Sequence, residues 1–337
     1  MKPRRLLDAA FLVLILLAAC KPYRVETISP IEEDESAAAA LSGGSLAALT
    51  SYRFTLEMTT RLELDGRTVE EKETILQEAT RFPEETLHIK KIRQNEEIGI
   101  IPVSSDRYRQ GMLTFESEER PEGDVCHIYD IELSPLADDG AIDPQSFFEN
   151  AKRKGPNDRG RVVNDVVADR FSATGLDLPL DEVEEETALL WVAQKGGYIV
   201  RFLVEAKGQM VVDGVNVPAS LKWEFNLYDA NHELAIALSP DCQQQKDFLD
   251  SLPIPAAAQE MEIMNSSVSF SSPETTQRTL DFIRTEMQEA GWKSIKDIGE
   301  EEDGFYILQY QRGDMFVDVI IGRPQDGGTF VTFSERP

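Results

Sequence analysis

The sequence predicts an α+β chain in which a long, mostly antiparallel sheet with few helices precedes a small β-α-β-β-β unit. Two runs of alternation and one change of period carry this prediction. From Tyr52 the hydrophobic period is two. Tyr52, Phe54, Leu56, Met58, Leu62 and Leu64 fall on one face, and Arg53, Thr55, Glu57, Thr59, Arg61 and Glu63 on the other. That pattern belongs to a half-buried antiparallel strand. Leu221, Trp223, Phe225 and Leu227 repeat it against Lys222, Glu224, Asn226 and Tyr228. Beyond Pro253-Ile254-Pro255 the period turns helical, with Leu280, Ile283, Met287 and Ala290 on one helix face.

The elements follow in order. Residues 36–50 are Ala- and Leu-rich and predict a short helix broken by Gly43-Gly44. Asp65-Gly66 is a hairpin turn between strands at 52–64 and 67–82. Strands are expected at 86–94, 97–103 and 125–133, around a turn-rich stretch at 104–124. Asp143 and Pro144 read as N-cap and N1 of a helix running to Lys154. A strand over 161–174 bends at Asn164-Asp165. A short acidic helix near 180–186 leads into Leu189-Trp191-Ala193, and Gly196-Gly197 turns the chain into 198–206. Leu234-Ile236-Leu238 reads as the last strand of the sheet, ended by Pro240, and 241–256 as a linker. The remainder gives a strand near 261–270, a helix capped at Ser272-Pro273-Glu274 and closed by Gly291, and strands at 304–311, 314–322 and 328–334.

Charge and targeting narrow the function. Lys plus Arg number 34 against 61 Asp plus Glu, a net charge of −27. Nucleic acid is not an expected partner, because phosphate recognition needs a basic surface. Lys2, Arg4 and Arg5 precede an unbroken apolar run from Ala9 to Ala19. The run is too short to span a bilayer and suits a secretory signal. It closes with Leu17-Ala18-Ala19-Cys20, which resembles the lipobox of bacterial lipoproteins. The Cys20 thiol would take a diacylglycerol, and the polar, acidic stretch 21–35 would tether the body to the extracytoplasmic side of the membrane.

Catalytic motifs are not found. The sequence holds no G-x-S-x-G, no phosphate-binding P-loop and no G-x-G-x-x-G. His232-Glu233 starts like a zinc helix, but Ile236 stands where the second histidine belongs. No cofactor, no metal and no enzymatic activity are expected. With Cys20 acylated, Cys126 and Cys242 remain, either as one disulfide or as two thiols. The apolar face of Tyr52, Phe54, Leu56, Met58, Leu221, Trp223 and Phe225 can line a cavity or pack a closed core.

The lipobox, the acidic tether, the Gly160–Val166 bend, Leu190-Trp191-Val192-Ala193, Gly197-Tyr198-Ile199-Val200 and the Leu238-Ser239-Pro240 exit together resemble the LppX/LprG-type bacterial lipoproteins, which share the half-barrel of the LolA/LolB carriers. The resemblance covers 36–242. It implies a highly curved sheet enclosing an apolar cavity, with a lipid or acyl chain as ligand and the seven residues above as its lining. Residues 257–337 resemble a small α/β module appended to such proteins. The competing expectation is an envelope protein-interaction or sensor module whose concavity is filled.

The anchor gives the first prediction. Cys20→Ser should abolish incorporation of a fatty-acid analogue and slow processing of the precursor. Equal label on both proteins would refute acylation at Cys20.

Overall fold

A computed structural model describes residues 39–40, 45–95, 103–111, 113–118, 124–130, 141–264, 266–300, 305–323 and 328–336. Cys20, the signal sequence, the tether and part of the expected 36–50 helix lie outside them. Residues Ala37–Pro337 form one compact unit. It is mostly antiparallel strand, in one large curved sheet.

The strands are β1 (Ala39–Ala40), β2 (Ser51–Leu64), β3 (Arg67–Thr80), β4 (Thr86–Asn95), β5 (Val103–Gln110), β6 (Leu113–Glu118), β7 (Val125–Asp130), β8 (Lys152–Val163) and β9 (Val166–Thr174). They continue as β10 (Glu182–Ala193), β11 (Ile199–Val212), β12 (Val215–Tyr228), β13 (Gln259–Met264), β14 (Ser267–Ser272), β15 (Lys293–Glu300), β16 (Phe305–Arg312), β17 (Met315–Gly322) and β18 (Thr329–Arg336). Helix α1 (Pro240–Asp250) follows β12, and α2 (Thr276–Glu289) follows β14. The spatial order is β1-β8-β9-β10-β11-β12-β2-β3-β4-β5-β6-β7, antiparallel throughout. Among the described residues Tyr129 pairs with Met264 to join β7 to β13, and β14-β18-β17-β16-β15 complete the row.

The core does not stay on one side of this sheet. Even-numbered residues of β2 share a face with Val204, Phe202, Trp223 and Phe225 through the β2–β12–β11 registers. On that face Phe54, Leu56, Ile75, Phe202, Val204 and Phe225 are fully buried. A 3-10 turn at Ser146–Phe148 covers it. Phe148 meets Phe202 edge-on at 5.2 Å, and Phe147 lies 5.2 Å from Trp223. Each buried large side chain there contributes about 1.5–3 kcal/mol. Across β5–β7 the buried apolar residues are Tyr108, Phe115, Cys126 and Ile128, which stand on the opposite face. They join α1, through Cys242, Phe248 and Leu249, and the inner side of β14 and β16–β18 under α2 in a second core. Cys126 and Cys242 are disulfide-bonded within it. The exchange of faces happens at β4, where Thr86, Leu87, His88 and Ile89 are all buried.

Several elements differ from the sequence expectation. The helix expected from Pro144 to Lys154 is only the 3-10 turn, because β8 begins at Lys152 and takes the basic residues into the sheet. Asp143 still accepts from the Gln145 backbone N–H at 3.0 Å. The expected strand 161–174 is a hairpin, since Asn164 and Asp165 both have positive φ and form its turn. Residues 182–186 extend β10 as a strand rather than forming a helix, paired with β11. The stretch 234–238 is not a strand; Ile236 and Leu238 pack against the second core instead. The stretch 241–256 opens as α1, with Pro240 in its first turn and three residues buried. The single strand near 261–270 is the β13–β14 hairpin. The cap of α2 is Thr275, whose hydroxyl accepts from Arg278 N–H, and β15 is an additional strand.

Candidate functional site

The seven residues expected to line an apolar cavity are placed as follows. Phe54, Leu56, Leu221, Trp223 and Phe225 are buried, and Tyr52 and Met58 are half-buried. Phe54 lies 5.0 Å from Phe225, and Phe225 stacks on Phe202 at 5.2 Å. With Phe147 and Phe148 seated on this face, its centre is packed by protein. Tyr52 borders a small cavity of about 210 Å³, and its hydroxyl accepts from Gln77 Nε2 at 2.9 Å.

A larger concavity, about 550 Å³, lies on the other face of the same strands. Its lining is set by register. Thr187, Glu205, Lys222, Thr59 and Lys72 form one cross-strand row from β10 to β3, and Glu185, Lys207, Ser220, Arg61 and Glu70 form the next. Glu57 and Glu224 stand opposite each other beyond the first row. Charges of both signs are interspersed among the rows. Lys207 pairs with Glu185 at 2.7 Å, Arg61 with Glu70 at 2.6 Å, and Lys72 with Glu57 at 3.1 Å. Exposed pairs of this kind contribute about 0–1 kcal/mol each, so a ligand carrying charges can replace them at small cost. The alternating polar residues were visible in the sequence, but nothing there showed that they close into a groove.

A second polar assembly sits where the core changes face. Glu78 of β3, His88 of β4 and Tyr108 of β5 are directly opposed across their strands. His88 Nδ1 lies 2.8 Å from Glu78 Oε2, and Nε2 lies 2.6 Å from Asp106 Oδ1. The Tyr108 ring stacks on the imidazole at 4.3 Å. Arg53 pairs with Glu78 and with Asp229, and Lys90 lies 3.6 Å from Asp106. Burial alone would push the His88 pKa down, but hydrogen bonds to Asp106 and Glu78, with their charges, prevail and raise it to about 9. Glu78 is held below the usual carboxylate range by its bond to His88 and by Arg53, against the opposing effect of burial. Asp106 is also lowered: burial opposes this, and His88 and Lys90 overcome it. Burial and the neighbouring Asp106 push the Tyr108 phenol up.

Both imidazole nitrogens face carboxylates, so at neutral pH the ring is a cation donating twice. It has no lone pair for general-base work. The burial of His88 follows from its facing Tyr108 of β5 at the edge of the second core. Cys126, Asp241 and Cys242 also lie close together, but their sulfurs are held in the disulfide and supply no thiolate ligand.

No protein-family model and no curated protein matches the chain. Among solved structures, a DUF1329 family protein from Desulfovibrio piger is 7% identical, covering 57% of this chain and 89% of its own, with a TM-score of 0.18. A protein provisionally named AttH from Nitrosomonas europaea is 9% identical, covering 91% of this chain and 99% of its own, with a TM-score of 0.22. Likeness at this level carries no argument about function.

The His88 cluster predicts a pH dependence. The folded pKa of His88 lies above its unfolded value of 6.5. Its contribution is therefore full below about pH 6.5 and is lost as pH rises through about 9. The lowered pKa values of Glu78 and Asp106 make their contribution present above the unfolded carboxylate range and lost as pH falls through it. His88→Gln leaves two half-buried carboxylates short of a cation and should cost about 2 kcal/mol at pH 6.5. Denaturant unfolding at pH 6.5 and 9.5 checks this. The gap between wild type and variant should narrow at the higher pH, and an equal gap at both would contradict the assignment.

Proposed function

We propose that the protein is a lipid-anchored, extracytoplasmic, non-enzymatic binding module that uses the charged groove on β10–β11–β12–β2–β3 to hold a polar segment of a partner protein. One observation carries this reading. The apolar face that would take an acyl chain is occupied by Phe147 and Phe148, whereas the groove opposite is open and lined by charges of both signs. An acyl chain laid among Glu57, Arg61, Glu205, Lys207 and Lys222 would desolvate those groups without replacing their hydrogen bonds. A polypeptide segment with its own amides and charges can replace them. On this reading the curved sheet of residues 36–242 is a half-barrel of the LolA kind with its apolar side filled. Residues 257–337 are a module added at its edge, and Cys20 supplies the membrane attachment.

The test uses a photoreactive residue in the groove, Ser220→benzoylphenylalanine, expressed in cells with the native anchor. Irradiation should give a discrete protein adduct, reduced by about an order of magnitude when Lys207→Glu and Lys222→Glu are added. A fluorescent fatty-acid probe should not bind. Saturable uptake of the probe with no adduct from Ser220 would overturn the proposal in favour of an acyl carrier.

A further inference from the structure

Strand β8 departs from the charge of the chain around it. Of its 12 residues, Lys152, Arg153, Lys154, Arg159 and Arg161 are basic and only Asp158 is acidic, in a chain with net charge −27. Lys152, Arg159 and Arg161 are exposed. Asp158 pairs with Arg161 at 2.6 Å, and Asp169 of β9 accepts from Gly160 N–H and from Gln194. Arg153 lies 4.3 Å over the Phe171 ring. Among the described residues no carboxylate lies within ion-pair distance of Lys152, Lys154 or Arg159, and Asp169 acts on Arg159 only from farther away.

The strand is also an edge. Among the described residues its outer side pairs with the two residues of β1 alone, Ala39 with Arg153 and Ala40 with Lys152. Its register is broken twice, between Lys154 and Asp158 and between Asp158 and Arg161, and it contains Pro156. A broken edge with a proline is poorly suited to receive another strand, which leaves its charge as the recognisable feature. The first described residues, Ala39 and Ala40, lie on this edge. Cys20 is 19 residues before Ala39, enough for an extended reach of about 65 Å. A 12-residue strand is about 40 Å long, so the whole of β8 can reach the bilayer that holds the anchor.

From this placement we infer that the β8 edge is the membrane-facing surface of the body and docks on anionic lipid headgroups. The inference rests on the anchor reading of Cys20. Charges beyond about 10 Å are screened at physiological salt, so the local basic edge is attracted while the acidic remainder is kept away from the surface. The body is thereby oriented and not merely tethered.

The experiment couples the Cys20 thiol of the chain from residue 20 to a maleimide phospholipid in vesicles, so that it does not depend on natural acylation. Vesicles contain either phosphatidylglycerol or phosphatidylcholine alone. Lysine acetylation is then read by mass spectrometry. Lys152 and Lys154 should react about threefold more slowly on phosphatidylglycerol, with the protection lost at about 1 M salt, while Lys207 is unchanged. Arg159→Ser with Lys154→Ser should remove the protection of Lys152. Equal reactivity on the two vesicle types, or protection that survives both substitutions, would overturn the inference. A natural protein lacking acyl chains would refute the anchor and leave this measurement standing.

Discussion

A β-sheet presents two faces, and here one strand lets a single sheet serve two cores. At β4 the run Thr86-Leu87-His88-Ile89 is buried on both sides. Toward β3, β2, β12 and β11 the dry face is the one carrying Ile89, Ile75, Leu56 and Phe225. Toward β5, β6 and β7 it is the one carrying His88, Tyr108, Phe115 and Ile128. Side chains alternate strictly along a strand, so each half leaves its other face to solvent. The charged groove is that other face in the first half. The second half is closed by α1, by the disulfide between Cys126 and Cys242, and by α2 with its strands.

The exchange has a polar cost, and the ion cluster answers it. Where the second core begins, His88 is buried and Glu78 and Asp106 are half-buried, and the three hold one another's charge. Arg53 reaches this cluster from β2, next to the groove, and Asp229 holds the same guanidinium from the end of β12. A line of charge-assisted hydrogen bonds therefore runs from Asp106 at the edge of the second core through His88, Glu78 and Arg53 to Asp229; such bonds are stronger than neutral ones and restrict geometry.

Much of this was legible in the sequence, for identifiable reasons. Alternation in β2 and β12 named the buried Phe54, Leu56, Trp223 and Phe225, because period two is a direct consequence of strand geometry. It could not say whether these residues meet a ligand or other side chains. That depended on Phe147 and Phe148, which read locally as part of a helix. Helix α1 was hidden because its polar Gln243-Gln244-Gln245 run resembles a linker and its buried residues are few. Strand β15 was missed because all its described side chains are exposed, so burial imposes no pattern on it. The face exchange was invisible, since alternation specifies a period but not which side is dry.

Cysteine accessibility tests the two-faced sheet most directly. Single substitutions Lys222→Cys, Trp223→Cys, Phe115→Cys and Glu116→Cys place a thiol on each face of each half, and labelling by a water-soluble maleimide is timed in the folded protein. Lys222→Cys and Glu116→Cys should label rapidly, and Trp223→Cys and Phe115→Cys slowly, although Lys222 and Phe115 stand on the same side of the sheet. Rapid labelling at both Lys222→Cys and Phe115→Cys, or slow labelling at both, would mean that one face is dry throughout and would contradict the account.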